Sequence, residues 1–359
     1  MVADGSEADK KPARSGARAL AIAYLAFFAL LIAVGIAIWL FGNPRAGEPV
    51  VRLRVVATTI AAKPRNVAAV ETAQPLAQPP TPASNTAVAP AYAGTVLVAD
   101  PALIEITASG PLPRIAADGR TPMQAYAAAA GDTSKPHIAI VISGLGISAK
   151  ATAAALAELP PQVTLAFAPY AADVQNWVTQ ARRQGHEVLL EVPMEPYDFP
   201  DSDPGLHTLR SGVAEDSNTA RLVWALTRFT GYTGVTNLLG ARLLSDSDSL
   251  EPILTFLTRR GLLFFDNGAA AHSAAPDVAA RTGTAIAQST ATIDSIQTAM
   301  EIDHQLSQLE NEARAHGVAS GSGFIYPLTI DRVSQWAQGL SGRGFVLVPA
   351  SAIVTAKKQ

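Results

Sequence analysis

Cysteine is absent from this 359-residue chain, which removes disulfides, thiolate metal sites and cysteine nucleophiles together. A strong charge excess is absent too. The 27 basic and 30 acidic residues leave a net charge of −3, without the basic stripe that nucleic-acid binding needs. Histidine is scarce: His137, His186, His207, His272, His304 and His316 form no HxH or HxxxH pair, and only His207 and His272 fall in loops that can reach a strand-end mouth. Two common motifs also fail. A nucleophile elbow around Ser143 would need glycine two residues earlier, where Val141 stands. "GLGISA" carries a single G-x-G, and no acidic residue ends the following strand "VTLAFAP", so a dinucleotide fingerprint is excluded.

What is present is apolar: hydrophobic residues make up 48% of the chain, enough for a substantial packed core. From Ala19 to Phe41 the run "ALAIAYLAFFALLIAVGIAIWLF" has no charge and is long enough to cross a hydrocarbon layer of about 30 Å as a helix. It exceeds the h-region of a signal peptide, and no small-residue cleavage box follows, so an uncleaved anchor is expected. Lys10, Lys11, Arg14 and Arg18 precede it, while Arg45, Arg52 and Arg54 follow. That slight bias places the tail 1–18 in the cytoplasm and the remainder outside. Residues 42–104 read as a Pro/Ala-rich, disordered linker, and 105–134 as a turn-rich lead-in that docks on the domain 135–354.

Within that domain, apolar β-branched runs alternate with helix-period stretches. Strands are expected near 138–143, 163–168, 187–192, 234–237, 262–266, 284–288, 318–322 and 345–348. Asp246 and Ser247 can cap a helix ending at Gly261, and a long helix is expected from Asp294 to Gly317. Such alternation implies an α/β fold with a parallel sheet, open or closed, and eight strands favour a barrel. Chemistry then gathers at the carboxyl ends of the strands. The positions to inspect are Ser143–Gly144, Tyr170, Glu195, Asn237, Asp266, the stretch Gly321 to Tyr326, and Pro349.

The blocks "GPLPRIAADGRTPMQAYA", "IAIVISGLG", "VTLAFAPYA", "GHEVLLEVPMEP", "GVTNLLGAR", "GLLFFDN" and "GVASGSGFIYPLTIDRVSQW", in this order, resemble the divergent polysaccharide deacetylases of Gram-negative envelopes. The resemblance covers about 105 to 354. It implies a distorted (β/α) barrel and metal-assisted removal of an acetyl group, with a metal-bound water, a carboxylate base and imidazole ligands. It also implies a single-pass inner-membrane protein with its domain in the periplasm.

Three motifs depart from the family pattern. Relatives end the first strand in "IDDLG", where this chain has Ser143 and Gly144. "NNHMGSR" becomes "TNLLGAR", so Leu238 replaces an imidazole and Ala241 a serine. "GHPHP" becomes "GFIYP", so Phe324 replaces another imidazole. These departures imply loss of the family metal, zinc, and of the base. The expected role is then a module binding an envelope glycan or an envelope protein. Glu195 and Asp266 are retained, and Tyr170, Asn237, Arg242 and Tyr326 are ligand-binding candidates, with a mouth lined by Phe324, Leu238, Tyr170 and Tyr326. Arg242 can pair with Asp266 or meet an anionic ligand. A rival reading keeps an active carbohydrate esterase that uses Glu195 and Asp266 as its carboxylate pair.

Overall fold

His137–Leu145 reads HIAIVISGL, and every residue after His137 is buried. A strand buried on both faces belongs at the centre of a parallel sheet covered by helices. The computed structural model places it there, as β3. It describes residues 99–354 and, in a separate N-terminal unit, the helical residues 24, 27–29 and 32. The expected tail 1–18, most of the expected span 19–41 and the linker up to residue 98 lie outside the described residues. Among the described residues no helix is long and apolar enough to cross a membrane.

Ahead of β3, the strands β1 (Ile104–Thr107) and β2 (Gly110–Pro113) form an antiparallel hairpin. The main sheet continues with β4 (Thr164–Phe167), β5 (Val188–Met194), β6 (Gly234–Leu239), β7 (Leu263–Asp266), β8 (Ile286–Gln288), β9 (Ala291–Thr292), β10 (Val318–Phe324) and β11 (Val346–Val348). All its pairings are parallel, in the order β8-β7-β6-β5-β4-β3-β10-β9, with β11 beside the start of β3. The expected strands are therefore found within a few residues of their positions, and the helices lie in the crossovers.

The two ends of this path are joined by two residues, Ser289 and Thr290. Ser289 N–H donates to Asp266 O on one side, and Thr290 N–H donates to Ser320 O on the other. The sheet thus curls into a partial barrel with its seam where β8 breaks from β9. One face of the curl holds Val141, Ala166, Leu189, Leu263, Phe265 and Ala287 in a small interior cluster. The other face carries Ile140, Leu165, Leu190 and Phe264 into the larger core beneath the helices. At the amino end of the strands, Glu187 is fully buried and saturated with donors. It accepts from Ala128 N–H, Ser351 N–H, the Ser351 hydroxyl and Thr164 Oγ1, which ties both flanking segments to the sheet.

Two boundaries differ from expectation. The end of the predicted linker is folded: Pro101–Leu103 is a 3-10 turn capped by Asp100, and Leu103 is buried against Ala116, Ala125 and Tyr126. A buried leucine and a capped turn give these residues the contacts that the proline-rich stretch lacks. The long helix starts at Ala299 rather than Asp294, because the Thr298 side chain accepts from Glu301 N–H and caps it there. Asp294 is released for the site described next.

Candidate functional site

The carboxyl ends of β3, β5, β6, β7 and β10 surround a cavity of about 440 Å³. Ser143, Glu191, Asn237, Leu238, Asn267, Asp294, Phe324 and Tyr326 all line it. Five of the residues singled out in the sequence are therefore brought together here: Ser143, Asn237, Leu238, Phe324 and Tyr326. Gly144 follows directly behind Ser143.

Gly144 has φ +85°, a conformation that disfavours any side chain. A Cβ built there would lie 2.4 Å from Phe324 Cζ and 2.5 Å from Cε2. The aromatic ring at 324 thus fills the volume that a side chain at 144 would need. The two departures from the family pattern, glycine on β3 and phenylalanine on β10, are sterically one feature. Asp294 fixes that ring's backbone: its Oδ2 accepts from Phe324 N–H at 2.7 Å and from Thr329 Oγ1 at 2.9 Å. Burial pushes the Asp294 carboxyl above its usual range, against these two donors. The Phe324 and Tyr326 rings are 5.0 Å apart at the rim.

Asn237 and Asn267 lock the ends of β6 and β7 to each other. Asn237 Nδ2 donates to Asn267 Oδ1 at 2.6 Å, while Asn267 N–H and Nδ2 donate back to Asn237 at 3.0 and 2.8 Å. Asn237 is therefore first a brace, with its edge on the cavity.

Glu191 was not singled out in the sequence. It lies in the middle of β5, fully buried, and its Oε1 accepts from Gly144 N–H at 2.5 Å. Burial pushes its carboxyl up to about 7, opposed by the bonds from Gly144 and from Ser143. Its Oε2 has no hydrogen-bond partner, and neither has Thr236 Oγ1, the residue in register with it on β6. The signal available in the sequence was a glutamate inside the apolar run "VLLEVPM", since an ionisable group in a doubly buried strand is rare unless it is paired or used. Asp294 carried a weaker signal, because "ATID" also reads as a helix start.

The remaining candidates are placed elsewhere, and none of them is among the cavity-lining residues. Tyr170 does not join the mouth; it stacks near Trp224, 5.0 Å between centroids, and its hydroxyl accepts from His207 N–H. His207 itself lies flat on Trp224 at 3.6 Å. Glu195 holds a loop: its Oε2 accepts from Ser211 N–H at 2.7 Å. Arg242 pairs with Glu195 at 3.6 Å rather than with Asp266, because the Arg242 N–H donates to Glu195 O and draws the two together. Asp266 is fully buried, accepting from Gly268 N–H and Gln288 Nε2. The carboxylate pair of the rival reading is thus committed to two separate loop anchors.

The donors present do not fit the metal that the resemblance implies. Leucine and phenylalanine stand at the imidazole positions and offer no ligand atom, Gly144 has no side chain, and Ser143 brings only a neutral hydroxyl. Among the described residues no group of three or more His, Cys, Asp or Glu side chains could hold an ion.

Comparison with known proteins agrees with the fold. The family described as divergent polysaccharide deacetylase matches residues 140–354. An uncharacterized protein from Agrobacterium tumefaciens C58, of known crystal structure, is 38% identical. The match covers 68% of this chain and 100% of that one, with a TM-score of 0.67. The uncharacterized protein YibQ of Escherichia coli K12 is 25% identical, over 60% of this chain and 67% of its own length. An uncharacterized protein of Haemophilus influenzae Rd is 27% identical, over 55% of this chain and 69% of its own. With most of its folded part matched in this way, the chain belongs to the divergent polysaccharide deacetylase family.

Proposed function

We propose that this protein is a family member that has given up metal-dependent deacetylation and serves as a binding module for an envelope glycan, held in the inner membrane by residues 19–41 with its domain in the periplasm. The observation that carries the reading is the Phe324 ring in the volume of a Gly144 side chain. Two of the positions needed for chemistry are changed together and packed against each other. Restoring a side chain at 144 alone would drive it into the Phe324 ring. The cavity remains open, with aromatic faces at its rim and a polar belt of Asn237, Asn267 and Asp294, the composition that accepts a ring with apolar faces and hydroxylated edges. The apolar run 19–41 and the proline-rich linker support the anchored placement. An envelope protein as partner draws support from family membership alone.

Acetate release tests this. The full-length chain is assayed on N-acetylglucosamine oligomers with added zinc, beside a variant carrying S143D, G144D, L238H and F324H. Release by the wild type ends the reading. No release by the wild type, with or without recovery in the variant, supports it.

A further inference from the structure

Glu187, just before β5, and Glu191, within it, are four residues apart on one face and have opposite fates. Glu187 is saturated with donors and works as a structural tie. Glu191 lines the cavity with one oxygen held by Gly144 N–H and the other unpartnered, beside the unpartnered Thr236 hydroxyl. Orphaned polar atoms in a folded interior are rare and costly, and call for a partner. In its ionised form Glu191 accepts only, so that partner must donate. The cavity supplies no cation of its own: Glu191 and Asp294 line it, and no Lys, Arg or His does. An anionic ligand is therefore repelled, and a positively charged donor is favoured.

We propose that the cavity recognises an amino sugar through its free amine, the ammonium taken by the Glu191 carboxylate and the ring laid against Phe324 and Tyr326 at the rim. This rests on the glycan-module reading and narrows it to glycans that have already lost their acetyl groups. An acetamido group is uncharged and leaves a single neutral N–H donor beside a bulky acetyl, so the acetylated sugar loses the charge-assisted bond. An ammonium beside Glu191 would also favour its ionised form. A reaction that removes N-acetyl groups must then supply the ligand, and this chain would read the product.

The test is calorimetric titration of the full-length protein with a glucosamine tetramer and with its fully N-acetylated counterpart. The free-amine tetramer is expected to bind at least about tenfold tighter, and E191Q to lose that advantage without any fall in its melting temperature, as fits a hydrogen bond to a charged group. Equal binding of the two tetramers, preference for the acetylated one, or no binding of either overturns amine recognition. So does E191Q that keeps the preference. The ligand comparison needs only the wild type, so it decides even where E191Q fails to fold. Acetate release decides the underlying loss of chemistry separately.

Discussion

At the residue scale the account turns on Gly144 and Phe324. Aspartate at 144 would adopt φ +85° and drive its Cβ into the ring at 2.4 Å. G144D alone is expected to cost about 2–4 kcal/mol in urea unfolding, the sum of overpacking and left-handed backbone strain. The shorter ring in F324H removes the atoms that the Cβ meets, so G144D with F324H should cost less than the two single variants added. A double-mutant cycle measures the difference, and strict additivity would contradict the coupling. Glu191 gives a second residue-scale outcome. Its folded value of about 7 lies above the ordinary 4.5, so the folded state holds the proton more tightly than the unfolded chain. Its contribution is complete below about 4.5 and is lost as pH rises to about 7, a difference on the order of 3 kcal/mol. E191Q, which is always neutral, should therefore gain stability relative to the wild type between pH 5 and pH 8. Parallel pH profiles for the two proteins would contradict the assignment.

At the element scale, the strand run was legible because parallel strands buried on both faces leave continuous apolar words such as "IAIVI" and "LLFF". Its limits were also physical. β9 has two residues, Ala291 and Thr292, too few to register as a period, so the seam that joins β8 to β10 was invisible. The helix expected from Asp294 begins at Ala299 because Thr298 provides the cap, and an aspartate before an apolar residue cannot be told from a cap by pattern alone. The consequence concerns β10. Asp294 takes the N–H of Phe324 and the hydroxyl of Thr329, linking the strand end to the helix Pro327–Gln338. D294A leaves two buried donors without an acceptor and should cost about 2–4 kcal/mol in chemical unfolding. A cost below about 0.5 kcal/mol, the range of a surface change, would show that the tie is idle.

At the scale of the whole molecule, the fold and the place of the site were readable, whereas the contents of the site were readable only in part. Ser143, Leu238 and Phe324 were marked because each departs from a motif, and the structure gathers all three on one cavity. Tyr170 follows a strand end, yet it lies beside His207 and Trp224, half-exposed and outside the cavity lining. Glu191 belongs to no strand end or motif; it reaches the cavity from the middle of β5. On the proposed reading a family fold is kept for its rigid strands, and packing stands at the positions that would carry hydrolysis. Fold alone does not fix activity. The most direct test is a zinc titration of the full-length protein followed by metal analysis after dialysis. The wild type is expected to retain no stoichiometric zinc. One tightly held zinc per chain, bound at the Ser143–Leu238–Phe324 cavity and lost in variants there, would contradict it.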